Sequence, residues 1–276
     1  MPLFRCPDLS DPRLDDYRQL PDPERLRSGG TFIAEGRLVV RTLLTASACR
    51  TRSVLVTDAA LADLSDIFEP RLEWLQVFVV PPGAIESLTG FDIHRGCLAA
   101  GERPAEVEPG QLLDRISDAR LLVVTERIGN ADNMGGIFRN AAAFGAQAVV
   151  IGPGCCDPLY RKAIRVSMGA ALRVPFARAG AWPDALLDLR GRGFTLVGLT
   201  PRRDAVPIDE IARPEALPGR VAVLVGSEGA GLSAPALAAA DVAVRIPMTA
   251  GTDSLNAATA AAIALHRLGL RPAGRP

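Results

Sequence analysis

In the second half of the chain, short apolar runs alternate with stretches whose apolar residues recur at helical spacing. Leu121–Val124, Ala148–Ile151, AALRVPFAR (170–178), FTLVGLT (194–200), Val221–Val225 and Val242–Pro247 read as strands. Between them, Gln111–Ser117, Ile137–Phe144, Tyr160–Met168 and Trp182–Arg190 read as helices, and an Ala-rich helical pattern begins at Ser254. Near-continuous apolar strands interleaved with helices predict an α/β fold: a mostly parallel sheet with helices on both faces. Several strands run into loops of small and polar residues: ERIGNADNMGG (126–136), GPGCCDPL (152–159), GSEGAGL (226–232) and TAGTDSLN (249–256). Strand, polar loop and helix N-terminus together are how α/β proteins bind small polar ligands.

The first half has a different rhythm. Residues 1–28 are rich in Pro and Asp, and predict an extended arm and a short helix. TFIAEGRLVVRTLLTA (31–46) starts as a strand and passes into a helix, with Leu38, Val39, Leu43 and Leu44 at helical spacing. Ser53–Val56 is a strand, with Asp58 placed to cap the next helix. LQVFVVPP (75–82) is a strand stopped by two prolines, AIESLTGF (84–91) a short helix and CLAAGER (97–103) a strand. That pattern predicts a small α/β domain over residues 1–105. The polar, proline-containing GERPAEVEPG (101–110) reads as a linker to a second domain over 111–276.

Composition narrows the function. A 48% hydrophobic content supports a full core. No apolar run approaches a membrane span, and the acidic, polar N-terminus resembles neither a signal nor a transit peptide, so a cytoplasmic protein is expected. Cys6, Cys49, Cys97, Cys155 and Cys156 are odd in number and contain no CxxC, which predicts neither a disulfide framework nor a metal site. The vicinal pair Cys155–Cys156 reads as two small loop residues more readily than as a redox couple. Neither His94 nor His266 is assigned a catalytic role. Net charge is zero, yet residues 1–110 hold 12 Arg against 17 Asp and Glu, and the remainder holds the opposite imbalance. That balance argues against indiscriminate polyanion binding and leaves room for a local basic face. Arg25, Arg27, Arg37, Arg41, Arg50 and Arg52 cluster with only Glu35 opposing them nearby in sequence. This is either a nucleic-acid backbone contact or a solvated helix face.

Three constellations carry candidate chemistry. Arg139 follows the glycine-containing 129–136 loop, where a guanidinium can grip a phosphate; the plain alternative is that Asn133 caps the helix and Arg139 is a surface charge. GSEGAGL lacks GK[ST] and GxGxxG, so it is neither a P-loop nor a dinucleotide fingerprint, and Glu228 within it would repel phosphate. Ser254 is placed as a helix N-cap, whereas Asn256 beside the run Ala257–Ala264 is not explained by capping alone. The alanines permit close packing on a partner helix or across a dimer.

Taken in order, NMGGIFRNAAAFG (133–145), LVGSEGAGL (224–232) and IPM (246–248) with SLN (254–256) resemble motifs 1, 2 and 3 of the SpoU (TrmH-like) branch of the SPOUT RNA methyltransferases. RVSMGA (165–170) between them is also like that family, and the resemblance covers roughly 118–268. Residues 1–105, with FIAEGRLVVRTLL and HRGCLAA, resemble the ribosomal-protein-L30e-like RNA-binding domain fused to many such enzymes. The resemblance implies a C-terminal trefoil knot, one of the rare exceptions to unknotted topology. It also implies S-adenosylmethionine as cofactor, an RNA substrate and a homodimer formed through the C-terminal domain. Carried over, Thr200, Gly226, Ser227, Glu228, Ile246, Met248, Ser254 and Leu255 would hold the cofactor. Arg139, Asn133, Glu228, Ser254 and Asn256 would form the catalytic set. Arg37, Arg41, Arg139, Arg161, Lys162 and Arg165 would meet RNA. Ser227 stands where the family often has Asn, and Ala257 where it often has Val.

The activity so implied is ribose 2′-O-methylation of rRNA or tRNA. A 2′-hydroxyl is a weak nucleophile, so the enzyme must align it and assist loss of its proton. A guanidinium stays protonated in proteins and is a poor ordinary base, so Arg139 would act either as an unusual base or as a group that holds the flanking phosphate and stabilises the developing alkoxide. A base-directed SPOUT methyltransferase and a non-catalytic RNA-binding or assembly factor of the same fold are the alternatives.

Overall fold

The computed structural model describes residues 3–5, 8–18, 20, 27–71, 73–90, 96–211, 219–249 and 254–269. Expectations for Cys6, Arg25, His94 and residues 250–253 lie outside the described residues. Two compact units emerge, one of Met1–Ala105 with Pro158–Arg173, the other of Glu106–Asp157 with Val174–Pro276.

In the first unit, β1 (Leu3–Arg5) precedes α1 (Asp15–Arg18), β2 (Thr31–Glu35), α2 (Arg37–Ala46), β3 (Thr51–Val56), α3 (Asp58–Asp63) and α4 (Ser65–Phe68). Then come β4 (Gln76–Val79), α5 (Ala84–Thr89) and β5 (Cys97–Glu102). The sheet order is β1-β4-β3-β5-β2, with β5 antiparallel to both of its neighbours. Leu14, Tyr17, Ile33, Leu55, Phe78 and Leu98 fill its core. Two local expectations shift. The buried face of α2 is Val39, Val40 and Leu43, leaving Leu38 46% exposed. Thr57, not Asp58, caps α3, its hydroxyl accepting from the Ala60 amide at 3.4 Å. Asp58 instead places a charge in the first turn, where the helix dipole favours it.

The second unit begins with α6 (Pro109–Arg115), β6 (Leu121–Thr125), α7 (Ala131–Ala143) and β7 (Ala148–Ile151). Residues 158–173, with α8 (Arg161–Val166), belong to the first unit, so the expected single domain over 111–276 is interrupted there. The cause is local chemistry: Arg161 and Arg165 both donate to Glu35 at the end of β2, at 2.5 and 3.0 Å. The second unit resumes with β8 (Phe176–Arg178), α9 (Asp184–Gly191), β9 (Thr195–Leu199), β10 (Val206–Pro207) and α10 (Ile208–Ile211). β11 (Val221–Val225), α11 (Ala234–Ala239), β12 (Val242–Arg245) and α12 (Ala257–Leu268) complete it. Its seven strands run β10-β12-β9-β11-β6-β7-β8, and every pair is parallel.

The two-residue period of each strand divides its core between two faces. Leu122, Val124, Val150, Ala222 and Leu224 pack with Leu186, Leu189 and Ala236 of α9 and α11. α7 and α12 pack on each other and against β7 and β11 with Met134, Ile137, Phe138, Ala261, Ala264 and Leu265 buried. Burial on both faces is why β11 is apolar throughout and β6 is apolar up to the buried Thr125 at its end. Two of the polar loops expected after the strands, 226–232 and the described part of 249–256, meet at the carboxyl ends of β9, β11 and β12.

Candidate active site

A narrow cleft, open to solvent, lies where β9, β11 and β12 end. Leu199, Val225, Val244, Ile246, Met248 and Leu255 give it apolar walls. Thr200, Gly226, Ser227, Glu228 and Ser254 supply its polar groups, so all eight residues that the resemblance assigns to the cofactor line this one cleft. Glu228 is the one ionisable side chain among the described lining residues.

Helix starts decide how the polar groups meet. α7 begins at Ala131 rather than Ile137, because the side chain of Asn130 caps it by accepting from the Asp132 and Asn133 amides. Asn133 therefore lies in the first turn as a helical residue, neither in a loop nor at the cap. Its Nδ2 donates to Glu228 Oε1 at 2.9 Å. The cap of α12 is likewise Asn256, not Ser254: its Oδ1 accepts from Ala258 and Thr259 N–H at 3.0 and 3.1 Å. The Nδ2 of the same amide donates to Asn133 Oδ1 at 2.7 Å and to Glu228 Oε1 at 2.6 Å. Asn133, Glu228 and Asn256, far apart in sequence, thus form one hydrogen-bonded group. Ser254 lines the cleft outside that group. Arg139 is exposed farther along α7 and belongs to none of these bonds.

The Gly226–Leu232 loop is a tight fold in its own right. Gly231 N–H donates to Ser227 C=O at 3.0 Å and Ala230 N–H to Glu228 C=O at 3.1 Å. A Cβ on Gly226 would stand 2.2 Å from the Gly231 carbonyl carbon, so no larger residue fits at that close approach.

Four other expected RNA-contact residues, Arg37, Arg41, Arg161 and Arg165, have carboxylate partners that sequence proximity did not reveal. Arg37 pairs with Asp63, and Arg41 is bidentate on Asp66 at 2.7 and 3.0 Å. Arg50 and Arg52 face Glu102 and Asp16, while Arg161 and Arg165 share Glu35. Four of the six arginines that Glu35 alone opposed in sequence, Arg37, Arg41, Arg50 and Arg52, therefore face acids from α3, α4, β5 and α1. Lys162 is half-buried on α8. Burial pushes the Cys155 thiol up and the Cys156 thiol up to about 11, which disfavours the reactive thiolate at neutral pH.

Sequence reading passed over Glu126. It is 1% exposed, and Trp182 Nε1 and Ser233 donate to its carboxylate. The available signal was a charged residue directly continuing the fully buried strand β6.

An apolar cleft at the strand ends of a parallel α/β unit is where such folds bind small ligands, and the Glu228 carboxylate in it suits a phosphate poorly. The SpoU rRNA Methylase family model matches residues 120–266. An uncharacterized tRNA/rRNA methyltransferase of Mycobacterium bovis is 44% identical over 267 residues, covering 94% of this chain and 89% of the relative. The 23S rRNA (guanosine(2553)-2′-O)-methyltransferase RlmP of Bacillus subtilis is 25% identical over 93% of this chain and 95% of its own length. Among solved structures, the AdoMet-bound rRNA methyltransferase of Sinorhizobium meliloti has the same fold, with a TM-score of 0.80 at 23% identity over 97% of this chain and 98% of that one. The chain belongs to the SpoU rRNA methylase family and by that membership is an RNA methyltransferase.

Proposed function

We propose that this chain transfers a methyl group from S-adenosylmethionine to a ribose 2′-hydroxyl of rRNA or tRNA, acting as a homodimer. The observation that carries the reading is the Asn133–Glu228–Asn256 group beside an apolar cleft. The lining suits the cofactor: its apolar walls accommodate a nucleoside, and its one ionisable side chain is a carboxylate. That charge favours a sulfonium cation and disfavours a phosphate-bearing ligand. The named 2′-O activity of the Bacillus subtilis relative supports ribose rather than base as the acceptor. The homodimer rests on the family resemblance.

Thr200, Gly226, Ser227, Ile246, Met248, Ser254 and Leu255 hold the cofactor, which when bound supplies an electrophilic methyl group. Asn133 and Asn256 fix the Glu228 carboxylate by donating to its Oε1, so it enters the reaction already oriented. Arg139 grips the phosphate beside the target ribose and stabilises negative charge on the 2′-oxygen as its proton departs. Ser254 orients the ribose.

Incubation with labelled S-adenosylmethionine and RNA from a strain lacking the protein, followed by digestion to nucleosides, tests the reading. Label in a 2′-O-methylnucleoside is expected; label on a base overturns it. Arg139→Ala should lower turnover by roughly 10²–10³-fold while leaving cofactor affinity intact. Persisting turnover would remove Arg139 from the catalytic set.

A further inference from the structure

We infer that Glu126 is a positioning residue that closes the Gly226–Leu232 loop, and that cofactor binding at the cleft depends on it. The inference rests on the proposed function for its catalytic readout, and on geometry alone for its structural one.

Glu126 lies one residue beyond β6, and β6 pairs with β11 in register through Thr125 and Val225. Its backbone N–H donates to Val225 C=O at 2.9 Å, immediately before the loop leaves the sheet. Its side chain holds the other end of the same loop. Oε2 accepts from Ser233 N–H at 2.7 Å, and Oε1 accepts from the Ser233 hydroxyl at 2.6 Å. One residue therefore clasps the chain just before Gly226 and just after Leu232. Everything between, including Glu228 and the lining residues Gly226, Ser227, Gly229 and Gly231, is held as a closed loop.

A third donor reaches the carboxylate from elsewhere: Trp182 Nε1 donates to Oε1 at 2.8 Å. Ser233 Oγ also accepts from Ala236 N–H at 3.3 Å, so the clasp continues into the cap of α11. Glu126 is 1% exposed, and water cannot replace any of these partners without opening the loop. A glutamine fits the space but not the pattern. Three donors converge on two oxygens, and an amide keeps only one oxygen. Whichever way it turns, its NH2 faces a donor, either Ser233 N–H or the Oε1 pair. Glu126 does not line the cleft, so its influence on the cofactor passes through the loop.

The test compares Glu126→Gln with Trp182→Phe in the full-length protein. Both remove hydrogen bonds at the same carboxylate, but only the first unclasps the loop. Glu126→Gln is expected to raise KM for S-adenosylmethionine by about tenfold or more, as a buried unpaired donor implies. It is also expected to speed amide hydrogen exchange across residues 226–233. Trp182→Phe should lower Tm while leaving KM and those amides unchanged. Ser233→Ala, which loses the hydroxyl contact but keeps the amide one, should fall between, and serves if Glu126→Gln does not fold. Unchanged exchange in 226–233 in Glu126→Gln, or in Ser233→Ala if that variant must stand in, overturns the clasp. Equal KM effects in Glu126→Gln and Trp182→Phe overturn the positioning role. An inactive wild type with normal exchange behaviour counts against the proposed function alone.

Discussion

The Asn256 side chain donates through Nδ2 to Asn133 and Glu228 and accepts through Oδ1 from two amides at the start of α12. Capping and site geometry are joined in one side chain, and two substitutions separate them. Asn256→Ala removes both and should destabilise the protein by about 0.5–2 kcal/mol, the range for loss of an N-cap. Asn256→Asp keeps a good cap and a charge that the helix dipole favours. It also replaces the donor to Glu228 with a second carboxylate, which repels it. Its thermal unfolding should therefore lie closer to wild type than that of Asn256→Ala, while its methyl-transfer rate falls at least as far. A fully active Asn256→Asp variant would show that the Asn256–Glu228 contact is incidental. Within the first unit, burial pushes the Cys97 thiol up to about 12 from an ordinary value of 9.0. A raised folded-state value contributes stability below pH 9 that is lost as pH climbs toward 12. Cys97→Ser should flatten that alkaline decline in a pH series of denaturant melts.

At the scale of elements, α7 and α12 owe their close contact to two small residues. A Cβ on Gly136 would lie 2.7 Å from the Cβ of Ala258, and Asn140 Nδ2 donates to the Ala258 carbonyl at 2.8 Å. Gly136→Ala gains up to about 1 kcal/mol of helix propensity. It also overpacks a seam that carries both Asn133 and Asn256, a cost of about 1–3 kcal/mol. The clash should win, with a lower Tm and weakened turnover. Adding Ala258→Gly should restore turnover, because it relieves the contact even though it costs helix propensity. This seam also shows what was legible in the sequence. Six of the seven strands of the second unit, and their parallel sense, follow from apolar runs separated by helical patterns; β10 does not, and of the strand expected over 170–178 only Phe176–Arg178 is extended, Ala170–Leu172 forming a 3-10 turn. The start of α7 does not, because Gly135 and Gly136 look like loop residues until a facing helix explains them. The Ala-rich run signalled close packing, and the structure supplies a partner in α7 within the same chain. The meeting of Asn133, Glu228 and Asn256 was legible only through resemblance to a family, since no local periodicity links residues on three separate loops and helices. The arginines of the first unit misled for a related reason, because their acids come from elements distant in sequence.

For the whole molecule, zero net charge and internally matched arginines limit how it can hold RNA. Arg37, Arg41, Arg161 and Arg165 each have a carboxylate partner, whereas Arg139 has no such ion pair among the described residues. An arginine that binds phosphate while surrendering a carboxylate exchanges one partner for another, and gains less than a free one. On duplex nucleic acid, each phosphate neutralised by a free cation steepens the dependence of log Kd on log salt by about 0.9. Removing Arg37 and Arg41 together should therefore flatten that slope by well under the roughly 1.8 expected of two unpaired contacts. Asp63→Asn with Asp66→Asn should do the reverse, freeing both guanidinium groups and strengthening binding to unrelated RNA most at low salt. RNA titrations across a range of salt concentrations read both effects. A slope change of the full two-contact size in the arginine variant would mean that the ion pairs open on binding, making Asp63 and Asp66 a gate on the RNA face. A small change, with Arg139→Ala flattening the slope by about one contact, would place the phosphate grip at Arg139 on α7 and leave recognition to the shape of the folded RNA.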